Sequence, residues 1–298
     1  MREGDVFDRV QTITGKDERA PSVVKRQPRD HLLWFTTVIY LAWVAVTPFL
    51  PGRTSEPPAS QPGIEWSGDS ILVLLAVFVT LNLLRREFGR RDAIKAITVI
   101  AAGSTLATLI SVKTGFPFGW FLYTERLGSQ LISGLPWVVP AGWLLLVLNA
   151  YLICSAIFAE FRLENPRDAD LLVVIISSLV VALMALVIEP VASNVRLYWF
   201  WLETDRAYYG APRLNFVGWL TTTSVLLAVL TCVIEAPRVR LSTAWISLGL
   251  LGSFLLLVAL LSWGTGFYTP VFIALNLMGG LAIGLVWASQ RRIASPWR

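Results

Sequence analysis

Histidine is nearly absent from this chain of 298 residues: His31 is its only one. That excludes chemistry built on clustered imidazoles, such as histidine-box di-iron oxygenases, bis-histidine haem and most zinc hydrolases. A Ser-His-Asp triad would have to use His31, at the edge of the first apolar run. Cysteine is scarce as well. Cys154 and Cys232 lie inside separate apolar runs, with no metal-type spacing and no basis for a disulfide framework. Charge is thin, at 15% of residues against about 25% in a soluble domain. No glycine-rich phosphate loop, HExxH helix or NDxxD-type aspartate pair is present. Asp168 and Asp170 form only a DxD beside Arg167, which disfavours prenyltransferase chemistry on a magnesium diphosphate.

What the chain has in abundance is apolar length. Hydrophobic residues make up 55%, and the mean hydropathy is +0.63. One water-soluble fold cannot easily hide so much apolar surface, and global disorder needs the opposite composition. Eight runs of roughly spanning length are read at 32–50, 70–84, 93–112, 136–159, 170–191, 214–234, 243–263 and 267–288. In lipid the backbone must satisfy its own hydrogen bonds, so these runs predict helices; period-2 barrel strands are not seen. The expected fold class is all-α, a polytopic integral membrane helical bundle of about eight transmembrane helices. Residues 1–31 read as a polar cytoplasmic tail with no signal-peptide core, 32–290 as one transmembrane domain and 291–298 as a short basic tail. The net charge of +5 marks topology and not nucleic-acid binding. Lys and Arg number 18 on the side of the termini and 6 on the other, which places both termini in the cytoplasm, with the plasma membrane of a prokaryote as the expected location. Gly280 and Gly284, four apart, predict close helix packing, and Asn149 and Asn276 predict hydrogen bonds between helices.

Two outer segments differ from ordinary loops. Residues 113–135 and 191–213 hold 11 of the 35 aromatics: Phe116, Phe118, Trp120, Phe121, Tyr123, Tyr198, Trp199, Phe200, Trp201, Tyr208 and Tyr209. An interfacial aromatic belt accounts for part of this excess. It accounts less well for the interleaved Glu125, Arg126, Arg196, Glu203, Asp205 and Arg206. Both segments fall on one face by the charge count, so they could meet in one pocket. Glu189-Pro190 is the sharpest position. Nineteen steps from Asp170, about 28 Å of helix, put Glu189 near the outer end of the fifth run. Proline loosens that end, and a partly desolvated carboxyl favours its neutral form. The alternative is a carboxylate tying the loop to the helix through Arg196 or Arg213. Asn215 opens the sixth run beside Gly218 and Trp219, where it would cap the helix or hold a water.

The run Thr114-Gly115-Phe116-Pro117-Phe118-Gly119, with Tyr123, Leu127-Gly128, Leu135-Pro136, Pro140 and Trp143, resembles the signature of the membrane carotenoid biosynthesis protein family, which includes carotenoid 1,2-hydratases. Glu189-Pro190, Tyr198-Trp199, Trp201, Tyr208-Tyr209-Gly210, Pro212, Asn215-Phe216 and Gly218-Trp219 resemble its second set of elements. The resemblance covers about residues 70–290. The chain departs from the pattern at Glu189, where an Asp is expected, and at Thr108, near which a Glu is expected.

The resemblance implies addition of water to the terminal 1,2 double bond of a linear carotenoid end group, a lyase-type reaction without a metal or organic cofactor. The substrate would be lipid-dissolved, and membrane lipid the other partner. Such a reaction begins with a proton from a placed acid, for which Glu189 is the first candidate and Glu125 and Asp205 follow. The resulting tertiary cation needs aromatic faces and little water. Tyr123, Phe118, Trp120, Trp199, Trp201, Tyr208 and Trp219 are candidates to line the site, with Asn215 or Tyr209 holding the water. A carrier that binds or moves an isoprenoid unchanged, and a structural membrane subunit, are the alternatives.

Overall fold

The computed structural model describes residues 31–46, 68–161, 165–234 and 239–294. Expectations about residues 1–30, most of the first outer loop and the last four residues lie outside that range. Among the described residues seven α-helices follow in order: α1 His31–Val46, α2 Gly68–Thr114, α3 Val138–Phe158, α4 Pro166–Pro190, α5 Arg213–Val233, α6 Leu241–Gly264 and α7 Tyr268–Ala294. Six of them, α2 to α7, are long and apolar enough to cross a membrane. Large apolar side chains such as Phe272, Leu275 and Ile283 stand exposed on their outer faces. In water such faces would be a liability; in hydrocarbon they are solvated.

The second and third apolar runs share one element. A straight helix of the 47 residues of α2 would be ~70 Å long, about twice a bilayer's hydrocarbon thickness. It is broken at Gly89, whose φ of 75° and ψ of 175° are non-helical and open to glycine at little cost. Asp69, Leu72 and Val73 from its start and Thr108 from its end line the same cavity, so the two arms double back on each other. The reversal needs no loop at 85–91: that stretch stays helical apart from Gly89.

Helix α3 runs through the middle, in contact with α2, α4, α6 and α7. It is buried along nearly its whole length, as an all-round apolar helix should be. Asn149 makes the expected bond between helices, its Nδ2 donating to Thr80 Oγ1 at 2.7 Å. Asn276 does not: it donates to Phe272 O in its own helix, from an exposed position. Of the glycine pair, Gly284 packs closely, since a Cβ there would come within 2.8 Å of Ile157, whereas Gly280 faces open space. Only residues 265–267 join α6 to α7, closed by Phe267 N donating to Ser262 O at 2.8 Å.

The two ends of the bundle differ in chemistry. At the arginine-rich end, Arg240 Nε donates to Glu87 Oε1 at 2.7 Å and Thr243 Oγ1 donates to the same oxygen. Arg292 pairs with Glu160 and donates to Val239 O. These contacts tie α2, α3, α6 and α7 together. At the opposite end the chain leaves the helical class. Strand β1 (Phe121–Tyr123) pairs antiparallel with β4 (Trp199–Trp201), and β2 (Gln130–Ile132) pairs with β3 (Leu135–Pro136). Pairing these strands satisfies backbone N–H and C=O groups that no helix takes up.

Candidate functional site

The register of β1 against β4 brings the two aromatic segments together: Phe121 lies opposite Trp201 and Tyr123 opposite Trp199. Leu202 N donates to Trp120 O and Thr124 N to Tyr198 O, each at 2.9 Å, extending the ladder at both ends. Glu203 adds a clamp, its Oε1 accepting from Trp120 N at 2.9 Å. Ring edges then meet ring faces across the pair, with Tyr123–Trp199 centroids 6.1 Å apart and Phe121–Trp201 centroids 5.3 Å apart.

The glycine-proline turn after α2 packs against the start of α5. Ser111 at the end of α2 accepts from Phe118 N and donates to Gly119 O, holding the turn over the helix end. Gly218 allows the approach: a Cβ there would lie 2.5 Å from Pro117 O. Phe118 thereby reaches Trp143 of α3 and Trp219 of α5, whose indoles stack at 4.3 Å and 13°.

These elements enclose a cavity of about 180 Å³. Its walls carry Phe118, Phe121, Tyr123, Trp143, Trp199, Trp201 and Trp219, an aliphatic side from α6 (Leu257, Val258, Leu261), and a few polar groups: Asp69, Thr108, Arg196, Tyr198 and Asn215. An apolar cavity of ~150 Å³ accommodates a benzene ring, so this one has room for an apolar group of that size.

Glu189 lies behind this wall, 2% exposed. Its Oε1 accepts from Trp201 Nε1 at 2.6 Å and Trp199 Nε1 at 3.0 Å; its Oε2 accepts from Asn215 Nδ2 at 3.0 Å. All three donors line the cavity. Past Pro190, α4 continues into a π turn at Val191–Val195, and Ser193 Oγ donates back to Glu189 O at 2.9 Å. A π turn of this kind commonly marks a functional position in a helix. Among the described residues no cation pairs with Glu189. Arg196 instead meets Asp69, Nε to Oδ2 at 3.4 Å, and Arg213 N lies 3.4 Å from Asp205. The loop is tied to the helix through neutral N–H groups, not through arginine. Asn215 is not the expected cap: it is buried and spends its amide on Glu189, while Pro212 opens α5 without a side-chain bond.

The other candidates divide. Phe118, Tyr123, Trp199, Trp201, Asn215 and Trp219 are together at the cavity. Tyr208 stands to one side against Phe216, its buried hydroxyl lacking a hydrogen-bond partner among the described residues. Tyr209 turns away, donating to Thr269 Oγ1 at 3.2 Å and packing on Phe267. Trp120 is 44% exposed, and Glu125 and Asp205 are exposed outside the cavity. Tyr123 is held neutral, its phenol pKa raised first by burial and then by the nearby Glu189. The sequence reading missed Asp69 as a site residue. An acid in the first turn of a helix is ordinary in sequence, because the helix dipole favours it there. Thr108, where the resemblance leads one to look for an acid, is buried in the wall, its hydroxyl donating to Ser104 O.

Comparison with known proteins gives the same direction. A family described as "Carotenoid biosynthesis protein" matches residues 68–281. The bisanhydrobacterioruberin hydratase of Haloarcula japonica is 31% identical over 244 residues, covering 80% of this chain and 76% of that protein. No solved structure matches. The matched region contains both aromatic strands, Glu189 and every residue of the cavity wall. This integral membrane chain therefore belongs to the carotenoid biosynthesis protein family.

Proposed function

We propose that the chain hydrates a carotenoid, adding water across the terminal 1,2 double bond of a linear end group held in the aromatic cavity. The observation that carries this reading is a buried carboxyl held only by neutral donors, directly behind a wall of rings. Oε1 of Glu189 already accepts two indole N–H bonds, whereas Oε2 accepts one. A proton on the carboxyl therefore belongs on Oε2, beside cavity-lining Asn215. Donation to the alkene would leave a tertiary cation among Trp199, Trp201, Tyr123 and Trp219, whose π faces attract positive charge. The substrate would arrive from the bilayer. In this reading α2 counts as two spans, giving eight, with both termini and the arginine-rich end on the cytoplasmic side of a prokaryotic plasma membrane.

The test is expression in cells that make lycopene or gamma-carotene. The wild-type chain is expected to yield a tertiary alcohol heavier by one water, and Glu189→Gln to yield none. Unaltered carotenoid co-purifying with the wild type, without any hydroxylated product, would instead identify a carrier.

A further inference from the structure

We propose that Asp69 is the base of this site, the carboxylate that takes a proton from the attacking water. The inference rests on the hydration reading and deepens it. Among the residues that line the cavity, Asp69 is the carboxylate; Glu189 adjoins the cavity at Trp199, Trp201 and Asn215, which bond its carboxyl. Asp69 Oδ2 accepts from the Tyr198 hydroxyl and lies 3.4 Å from Arg196 Nε. Oδ1 has no protein donor among the described residues, so it is the oxygen open to a water. Burial, then the adjacent Asp69 charge, raises the Tyr198 pKa well above the usual phenol range, so Tyr198 remains a donor and does not compete as a base.

Exposure separates the two carboxyls by task. The side chains of Asp69 and Arg196 are 27% and 26% exposed, whereas Glu189 is 2% exposed. In this assignment water enters at the Asp69 end, and the cation is sheltered at the Glu189 end. The steps balance as follows. The Glu189 O–H proton goes to C2, and the π electrons form that C–H bond, leaving the positive charge on C1. Water oxygen donates a lone pair to C1. One O–H bond of the oxonium breaks, its proton passing to Asp69 and its electrons remaining on oxygen. Asp69 returns that proton to water, Glu189 regains one, and the net change is one water added.

Loss of the base and loss of the acid have different isotope signatures. In membranes supplied with lycopene in D₂O, Asp69→Asn is expected to reduce hydroxylated product at least 100-fold. Its recovered substrate is nevertheless expected to gain deuterium at C2, because protonation and reversal continue while capture fails. Glu189→Gln is expected to give neither product nor deuterium. Asp69→Glu should recover part of the product, and Tyr198→Phe, which keeps the carboxylate, should lose less than tenfold. A folded Asp69→Asn that hydrates at the wild-type rate, or that gives no deuterium exchange, overturns the assignment. A wild type giving neither product nor exchange overturns hydration itself.

Discussion

The bundle buries glutamates at both ends and treats them in opposite ways. At the arginine-rich end Glu87 meets Arg240 at 2.7 Å, and Glu160 meets Arg292. At the aromatic end Glu189 meets two indoles and an amide and, among the described residues, no cation. An arginine pair fixes a carboxylate in its charged form and makes a lock, because removing either partner strands the other. Neutral N–H donors fix the position of a carboxyl without fixing its charge, so that carboxyl can carry a proton and release it. The contrast separates a joint that holds helices from a group suited to chemistry, although both are glutamates of similar burial.

Four substitutions probe this contrast. The largest effect is expected for Glu189→Gln, which keeps shape and size but removes the acid. Product formation should fall about 10²- to 10⁴-fold, the usual contribution of a placed general acid, with the detergent-solubilised protein still monodisperse. Glu87→Ala should do the reverse. Its loss removes the bonds from Arg240 and Thr243, and because the Arg240 side chain is 37% exposed the cost should be about 1–3 kcal/mol, read as a lower unfolding midpoint, while conversion per folded molecule is unchanged. Trp201→Phe retains an aromatic ring in the wall and removes one N–H from Glu189. A lost bond to a buried polar group costs ~1–3 kcal/mol, so product formation should drop about tenfold or more. If Trp201→Phe is silent, the donors do not hold the acid and the contrast between the two ends loses its meaning. The smallest effect is expected for Gly89→Ala, where a Cβ meets open space but φ is +75°. Backbone strain of ~1–3 kcal/mol should lower stability and leave product composition unaltered.

Much of this was legible before any coordinates. Hydrophobic runs and arginine-rich connections carried the helices, because lipid permits little else. Glu189 stood out by its place beside a proline at a helix end, Phe118, Tyr123, Trp199 and Trp201 by their density in two short segments, and Asn215 and Trp219 by their place at the start of the next apolar run. Asn215 illustrates where such reading stops. Its position at a helix start predicts a cap, but its amide was claimed by a residue 26 positions earlier. Asp69 shows the complementary failure. Nothing local separates it from a common helix-start acid, and its meaning comes from Tyr198, 129 residues away. Glu125 and Asp205 had the right chemistry in the right segments and point elsewhere, because three-residue strands leave the flanking turns outside.

Composition and the spacing of apolar residues by themselves determined that this chain is a helical membrane protein, because burying backbone and side chains in hydrocarbon is a local requirement that each segment meets on its own. Which carboxyl is sheltered, which is wet and which is locked to arginine was decided only by tertiary structure. Solvation and hydrogen bonding at those groups depend on partners brought from distant parts of the chain: a turn at Gly89 that returns α2 to its starting face, and a register that sets Phe121 opposite Trp201.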